Sequence, residues 1–431
     1  MAKKTIIQSV KGTRDFYPGD MAIRIWLYDM VRKVSESFGY QEWEGPILEK
    51  LELYAAKSSE ELAMKQSYVF PDRSDEMIML RPELTPSLAR VIAQRQRQLT
   101  YPLRWWSFGP FWRYEAPQKG RSREFFQWNI DQIGVDTPEA DAEMVAIVAG
   151  LFREVGLTST DATIQVNDRQ LVNREIEKLG ITPQQHQAVL NWIDRRAKMK
   201  PVAWNAYGTK IGLSLAQIEQ TNAFLHNDDL WKESETLVRV FEILEAMGVA
   251  EYVKYDSSTI RGLPYYTGIV FEAFDVRGSV KRSILGGGRY NNLMEAVGGD
   301  PMPAVGFAMG DLVITLILEE LGLLPQNVED SPAPVLVTIF DESTTAASFE
   351  VATELREAGL NVAIYPAVDK LGKRFKYAGR IGAKVALVLG PDEIENNQIA
   401  VKDLTTRGQE NIDRGSVLET IKKILAGANS P

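Results

Sequence analysis

The chain contains no cysteine, which excludes disulfide bonds, thiolate nucleophiles and thiolate metal ligands together. The absence also favours a cytoplasmic location, where thiols stay reduced and disulfides are rare. Histidine occurs only at His186 and His226, both in polar sequence with helical character. A His-ligated metal or a Ser-His-Asp triad would have to use one of these two residues. We therefore predict no His or Cys metal site, and we expect arginine, lysine, aspartate and glutamate to carry the charged chemistry.

Long apolar runs are missing as well. Behind Lys3 and Lys4 stands only the short apolar stretch 6–10, so we expect no secretory signal. No segment approaches the roughly 20 apolar residues of a membrane span, so we also expect no membrane partner. The hydrophobic fraction of 45% and the charged fraction of 25% are typical of a globular protein with a sizeable core. The net charge of −9 argues against a surface that coats nucleic acid indiscriminately.

Hydrophobic periodicity predicts the main elements of the chain. Apolar residues recur at helical spacing over 21–38, and an alternating stretch follows until Pro46 stops it. Further along, the pattern predicts two strands joined by a basic turn within 103–135, a helix at 143–155, a helix-rich stretch at 168–246, and strands at 252–255, 266–274 and 283–285 before a glycine-rich corner at Gly286-Gly287-Gly288. After a linker at 323–334, strands at 335–340, 362–365 and 385–389 alternate with helices, as in a small α/β domain.

The hairpin within 103–135 concentrates groups that suit a phosphate substrate. Fixed cations are needed on phosphate oxygens and acceptors on a substrate amine. The hairpin supplies both: Arg113, Glu115, Lys119, Arg121, Arg123, Gln127 and Asp131. Composition alone leaves an exposed hairpin with solvated cations equally open. The chain has no G-x-x-x-x-G-K-[ST] motif and no G-x-G-x-x-G motif, which argues against a P-loop or Rossmann enzyme.

A second basic cluster lies near the end of the chain. Its members fall within eleven positions that contain no acid: Lys370, Lys373, Arg374, Lys376 and Arg380. Three- and four-residue spacing places several of them on one face of a helix. Taken alone, the cluster is best explained as a solvated helix surface.

Several short motifs follow one another in a distinctive order. A helix and strand ending at Pro46, the segment 111–115 and the segment 306–310 resemble motifs 1, 2 and 3 of class II aminoacyl-tRNA synthetases. Five more segments are similar to signatures of the histidyl-tRNA synthetase family: Lys11-Gly12-Thr13-Arg14-Asp15, Leu80-Arg81-Pro82-Glu83-Leu84-Thr85, Gln118-Lys119-Gly120-Arg121, Arg261-Gly262-Leu263-Pro264-Tyr265-Tyr266 and Gly287-Gly288-Arg289-Tyr290. The last hundred residues resemble that family's anticodon-binding domain.

The resemblance implies an α+β fold, in which an antiparallel sheet flanked by helices carries the active site. It implies a catalytic core built from residues 1–167 and 249–325, a helical insertion at 168–248 and an α/β anticodon-binding domain at 333–431. The implied activity is ligation of L-histidine to tRNA(His) through a histidyl-adenylate, with ATP and Mg²⁺ as the nucleotide substrate. A homodimer formed through motif 1 is also implied.

The resemblance also assigns individual residues. Arg261 and Arg113 would be catalytic, acting on the ATP α-phosphate. The implied ATP-binding residues are Arg113, Glu115, Arg121 and Arg289, and the implied histidine-binding residues are Glu83, Thr85, Gln127, Asp131, Tyr265 and Tyr266. The implied tRNA-binding residues are Gln118, Lys119, Arg123, Lys373, Arg374, Lys376 and Tyr377. With this resemblance, RNA contact becomes the favoured interpretation of the second basic cluster.

Two positions depart from the family pattern. Pro264 stands where most members have aspartate, and Val313 stands where motif 3 of the class has an arginine that holds the γ-phosphate. Arg289, Arg282 or Arg121 could take over that role, or activation could have been lost. A catalytically silent, histidine-binding regulatory relative of the synthetase is therefore the alternative function, although such relatives lack the anticodon-binding domain.

Overall fold

The computed structural model describes residues 6–55, 66–262, 265–280, 282–292, 294–325 and 333–428. The chain divides into two compact units, Met1–Leu324 and Pro325–Pro431. Residues 326–332 of the linker predicted at 323–334 lie outside the described part of the chain. None of the described helices has the length and apolarity needed to cross a lipid bilayer.

The first unit contains eleven strands and ten α-helices among its described residues. The strands are β1 (Gln41–Glu42), β2 (Leu48–Lys50), β3 (Val69–Pro71), β4 (Met77–Leu80), β5 (Leu103–Trp112), β6 (Glu124–Ile133), β7 (Ala162–Asp168), β8 (Val253–Tyr255), β9 (Ile269–Asp275), β10 (Leu285–Arg289) and β11 (Ala304–Gly310). The helices are α1 (Pro18–Ser37), α2 (Leu51–Ala55), α3 (Thr85–Arg95), α4 (Pro138–Glu154), α5 (Arg169–Lys178), α6 (Pro183–Asp194), α7 (Pro201–Lys210), α8 (Leu215–Leu225), α9 (Glu235–Ala246) and α10 (Asp311–Glu320).

The main sheet of this unit has eight strands in the order β1-β5-β6-β11-β10-β9-β7-β8. The six central strands pair antiparallel, whereas the edge pairs β1·β5 and β7·β8 are parallel. A separate antiparallel sheet has the order β2-β4-β3. The predicted fold class, a largely antiparallel sheet flanked by helices, is confirmed.

Helix α4 explains how the sheet is covered. Thr137 accepts a hydrogen bond from the Ala140 N–H and thereby caps the helix. Its side chains are buried on nearly every face, because the helix packs between other helices and the strands β7 and β11. Helices α5 to α9 coincide with the predicted insertion, and their apolar residues belong to the same buried cluster as the sheet. The boundaries of an insertion domain at 168–248 stay a prediction.

The second unit is a small α/β domain. Its sheet has the order β13-β12-β14-β15-β16, with the first three strands parallel and the last two antiparallel. The strands are β12 (Val335–Ile339), β13 (Val362–Tyr365), β14 (Val385–Leu389), β15 (Gln398–Asp403) and β16 (Gln409–Asp413), and the helices are α11 (Thr345–Glu357), α12 (Leu371–Arg380), α13 (Pro391–Glu395) and α14 (Val417–Ala428). Four of the five residues of the basic cluster lie on α12, and Lys370 directly precedes this helix.

Candidate active site

A cavity on one face of the large sheet collects ten of the eleven residues predicted for catalysis, ATP or histidine. It is formed over β6, β10 and β11 and closed by the segments around residues 83–85, 113–122 and 261–266. The predicted residues that line it are Glu83, Thr85, Arg113, Glu115, Arg121, Gln127, Asp131, Arg261, Tyr265 and Tyr266. Only Arg289 does not. The individual roles of these ten side chains stay predictions.

Small residues on β11 leave the cavity floor open. Gln127 and Asp131 project from the same face of β6, since side chains alternate along a strand. Their partners across the ladder are Gly310 and Gly306. A Cβ on Gly306 would stand 2.1 Å from Asp131 Oδ1. The glycine is therefore required because the Asp131 carboxylate lies across its Cα.

Arg261 is held across the neighbouring strand in the same way. Its Nη1 donates to Glu272 Oε1 at 2.5 Å, and a Cβ on Gly286 would stand 1.9 Å from that Nη1 atom. Arg261 itself has a φ of +57°, a left-handed conformation that a residue with a Cβ adopts at a cost. Burial alone would lower the pKa of Arg261, but Glu272 and the Tyr266 phenol more than offset it, so the pKa is raised.

The sequence did not predict strand β10 correctly. We expected a corner at Gly286-Gly287-Gly288, but the three glycines lie inside the sheet, paired with both β9 and β11. Each is explained by close approach, not by a turn. A Cβ on Gly287 would stand 2.4 Å from the Gly306 carbonyl oxygen, and one on Gly288 would stand 2.6 Å from the Ile269 carbonyl oxygen.

Arg113 lies between two carboxylates on the cavity wall. Its Nε donates to the Pro82 carbonyl at 2.9 Å, and its guanidinium lies 5.2 Å from the centre of the Phe125 ring. Burial lowers the pKa of Arg113, while Glu83 on one side and Glu115 on the other act against that change. Glu115 in turn forms an ion pair with Arg121 at 2.5 Å. Two arginines and two carboxylates therefore lie close together on this wall of the cavity.

Asp131 is a buried carboxylate that forms no ion pair with any cation in the described part of the chain. The Tyr290 hydroxyl donates to its Oδ1, and burial raises the pKa of Asp131 to about 7. Burial, and then the Asp131 carboxylate, raise the pKa of Tyr290 well above its ordinary value. Tyr290 lies 6.2 Å from Tyr265, and Tyr265 lies 4.9 Å from Tyr266, measured between ring centres. This phenol-rich end of the cavity suits a cationic or hydrogen-bond-donating ligand.

We predict that Asp131→Asn stabilises the ligand-free protein more strongly at pH 8 than at pH 5.5. A carboxyl group with a raised pKa contributes stability that is fully present below its ordinary pKa of about 4. This contribution is lost progressively as the pH rises from there to about 7. The amide removes that loss and still accepts from Tyr290. Thermal unfolding at the two pH values measures the effect, and added histidine should stabilise the variant less than the original chain.

Asp141→Asn is the matched control for this experiment. Burial also raises the pKa of Asp141 to about 7, but Asp141 accepts from Arg289 Nε at 2.9 Å. The amide would leave Arg289 with a weaker partner, so we expect destabilisation at pH 8. If both variants shift the melting temperature at pH 8 in the same direction, then Asp131 is not a carboxylate that lacks a balancing cation in the folded protein.

Sequence reasoning missed the partners of the two central side chains. Glu272 on β9 orients Arg261, and Tyr290 orients Asp131. Both residues were visible as polar positions within predicted strands or motifs. The pairing of the strands, which sets Glu272 opposite Gly286, is needed to show that Glu272 contacts Arg261. Likewise, only the folded structure shows that Tyr290 contacts Asp131.

The prediction of Arg289 as an ATP ligand is corrected by its position. The side chain is buried, its Nη1 donates to Asp136 at 2.9 Å and its Nε to Asp141 at 2.9 Å. The Val135 carbonyl also accepts from Nη1, and the Thr137 carbonyl accepts from Nη2. Arg289 therefore braces the start of α4 against β10, and it has no group left to turn toward the cavity.

Among the predicted tRNA contacts, the prediction for Arg374 is also corrected. Arg374 is 4% exposed and donates to the carbonyl of Ile339, so it fixes α12 to the sheet. Lys376 and Tyr377 are exposed on the same helix, and exposed Lys373 pairs with Asp369 at 2.7 Å. These three residues remain available to an RNA partner.

The turn between β5 and β6 holds the other predicted tRNA contacts. Gln118 and Lys119 are exposed, and Lys119 pairs with Glu320 at 2.9 Å. Arg123 is half-buried, lies 4.1 Å from the centre of the Tyr114 ring and donates to the Glu115 carbonyl. Pro264, the first departure from the family pattern, lies outside the described residues.

The other departure, Val313, lies on the first turn of α10 and lines the cavity. The same turn is fixed by Asp311, whose carboxylate accepts from Arg14 at 2.7 Å and from the Phe126 N–H at 2.9 Å. The N-terminal motif 11–15, β6 and α10 are thereby joined at one point. Position 313 contributes an apolar wall in place of a cation.

An antiparallel sheet whose central hairpin carries paired arginines and acids over a buried cavity defines a class II aminoacyl-tRNA synthetase. The model of the histidyl-tRNA synthetase family matches residues 12–311, and that of an anticodon-binding domain matches residues 334–424. The chain belongs to the histidyl-tRNA synthetase family. The resemblance inferred from the motifs is therefore confirmed.

Individual relatives agree with this assignment over nearly the whole chain. The histidine–tRNA ligase of Opitutus terrae is 37% identical over 97% of this chain and 99% of its own length. The enzyme of that name from Haloarcula marismortui is 36% identical, over 94% of this chain and 95% of its own length. The crystal structure of histidyl-tRNA synthetase from a Nostoc species superposes with a TM-score of 0.78 at 26% identity, covering 97% of this chain and 100% of that chain.

Proposed function

We propose that this chain activates L-histidine with ATP and then transfers the histidyl group to tRNA(His). One observation carries the proposal: ten residues predicted from separate motifs meet in a single cavity. Their neighbours set an order along it. Asp131, Tyr290 and Tyr265 stand at one end, Glu83 and Arg113 follow, and Glu115 with Arg121 complete the other end.

The first step needs no general base. The histidine carboxylate is already ionised and attacks the α-phosphorus of ATP, forming a carboxyl–phosphate bond while the bond to the β-phosphate breaks and pyrophosphate leaves. Arg113 and Arg261 are half-buried cations on the cavity wall, and fixed charges act strongly where water is largely excluded. We propose that they hold the α-phosphate oxygens and stabilise the charge that develops there. Mg²⁺ enters with ATP as part of the substrate.

The phenol-rich end would select histidine. Asp131 and Glu83 offer acceptors for the ammonium and the imidazole N–H, and Tyr265 and Tyr266 form the wall around the ring. A side chain of similar size that lacks an N–H donor would give the buried Asp131 no second donor beside Tyr290, and such mismatches discriminate strongly. Glu115 would lie at the adenine end of the nucleotide.

The second step involves the anticodon-binding domain and the turn between β5 and β6. We propose that Lys373, Lys376 and Tyr377 contact the anticodon region, with the lysines on phosphates and the tyrosine stacked on a base. Gln118 and Lys119 would meet the acceptor end. We also propose a cytoplasmic homodimer, in which exposed Ile25 on α1 and exposed Leu48 on β2 pack against a second copy of the chain.

Amino-acid-dependent exchange between ATP and pyrophosphate tests the proposed activity. The purified protein should exchange with histidine and with none of the other nineteen amino acids, and it should charge tRNA(His). A folded protein that binds histidine without exchange would instead fit the regulatory alternative. Exchange with another amino acid would show that the phenol-rich end has been misassigned.

A further inference from the structure

Arg282 lies close to Val313, next to the end of the cavity that holds Glu115 and Arg121. The point where a Gly120 Cβ would stand is 3.4 Å from Val313 Cγ2 and 3.5 Å from Arg282 Cδ. The Arg282 stem therefore runs past the position where motif 3 of the class carries its arginine. Ser283, the next residue, lines the cavity together with Gly120 and Val313.

The charges at this end of the cavity do not balance. Burial lowers the pKa of Arg282, nearby Arg121 lowers it further, and Glu115 acts in the opposite direction. Glu115 already forms an ion pair with Arg121 at 2.5 Å. Within the described ranges Arg282 makes no ion pair of its own, so two guanidinium groups share one carboxylate.

A half-buried cation without its own counterion is unfavourable until an anion arrives. The other cations nearby are engaged elsewhere: Lys119 pairs with Glu320 and Arg14 pairs with Asp311. Arg289 is held by Asp136 and Asp141. Among the described residues, an unpaired positive charge therefore lies on Arg282, next to Arg121.

We propose that Arg282 binds the β- and γ-phosphates of ATP, and the pyrophosphate released from it, in place of an arginine at position 313. This assignment rests on the proposed function, because it needs the nucleotide in this cavity. A guanidinium suits the role since its planar fork donates two parallel hydrogen bonds to phosphate oxygens.

The small side chain of Val313 is part of the same arrangement. An arginine at 313 would place its stem against that of Arg282 over Gly120, and two like charges would compete for one volume. An arginine at either position, 282 or 313, could therefore place its guanidinium at the same point in the site. It follows that Val313→Arg should increase ATP affinity only in a variant that lacks Arg282.

The test measures ATP and AMP binding, together with exchange kinetics, in full-length variants. Arg282→Ala should lower the affinity for ATP and raise the half-saturating pyrophosphate concentration, each by roughly 10- to 100-fold. This is the loss expected for a charge-assisted hydrogen bond. AMP has neither the β- nor the γ-phosphate, so its affinity should stay unchanged, as should the KM for histidine. In the Arg282→Ala background, Val313→Arg should recover most of the ATP affinity.

Arg277→Ala is the matched control, because Arg277 lies on the same β9–β10 connection but pairs with Asp275 at 3.4 Å. It should leave ATP affinity unchanged. An equal loss of ATP and AMP binding in Arg282→Ala, or no loss of either, would overturn the assignment. Equilibrium binding separates this outcome from a failure of the proposed function, since a chain without exchange activity still reports whether Arg282 distinguishes ATP from AMP.

Discussion

Replacing Arg261 with alanine should lower kcat for histidine-dependent exchange by roughly 10²- to 10³-fold, the loss typical of removing one fixed group that stabilises transition-state charge. The half-buried guanidinium is oriented by Glu272 at 2.5 Å and lies against Gly286, so it is fixed before the substrates bind. Such an interaction acts mainly on the transition state, and we expect little change in the KM for histidine. Pyrophosphate exchange and single-turnover formation of the adenylate measure the effect.

A structural explanation for that loss has to be separated from a chemical one. Arg261→Ala leaves Glu272 buried without its partner, which itself destabilises a protein. Removing both in Arg261→Ala/Glu272→Ala should restore the melting temperature but leave kcat low. Glu272→Gln should lower kcat less than Arg261→Ala, because it loosens the guanidinium without removing it. A double variant that regains activity would show that Arg261 is structural.

The sequence predicted the composition of the cavity far better than the partners of its residues. The short motifs around Glu83, Arg113 and Arg261 identify these residues because each motif keeps its residue type at a fixed local spacing. Arg289 and Arg374 have the same residue type in equally good motifs, yet both are buried. Asp141, which pairs with Arg289, lies 148 residues away along the chain. Local sequence contains no information about such a partner.

The glycine-rich strand shows a similar limit. Local composition at Gly286-Gly287-Gly288 favours a turn, since glycine weakens a strand interior. The strand forms because the sheet register brings backbone and side chains too close for any Cβ. Helix periodicity, in contrast, is a local property, and the predicted helices at 21–38 and 143–155 agree with α1 and α4 to within a few residues. Tertiary contacts, and not local propensity, therefore determine that these three glycines form a strand.

Gly286→Ala should abolish activation nearly as completely as Arg261→Ala while leaving the protein folded. The new methyl group would stand 1.9 Å from Arg261 Nη1 and 2.4 Å from its Cζ, so the guanidinium has to move. Because the displaced atoms are the end of a flexible side chain, the backbone does not have to shift. Exchange kinetics and thermal unfolding should together show a large loss of kcat with a small change in melting temperature.

Two neighbouring glycines give this experiment its controls. Gly262→Ala lies next to Arg261 in sequence, but its methyl group would meet nothing closer than Asp194 at 3.8 Å, so kcat should be retained. Gly287→Ala would meet the Gly306 carbonyl oxygen and Phe307 Cβ, each at 2.4 Å, so the variant should lose stability. If Gly286→Ala instead unfolds like Gly287→Ala, or keeps full activity, then Arg261 does not act from its position on Gly286. The two adjacent glycines would thus have different roles: Gly287 is needed for the stability of the sheet, and Gly286 is needed for the position of Arg261 and hence for kcat.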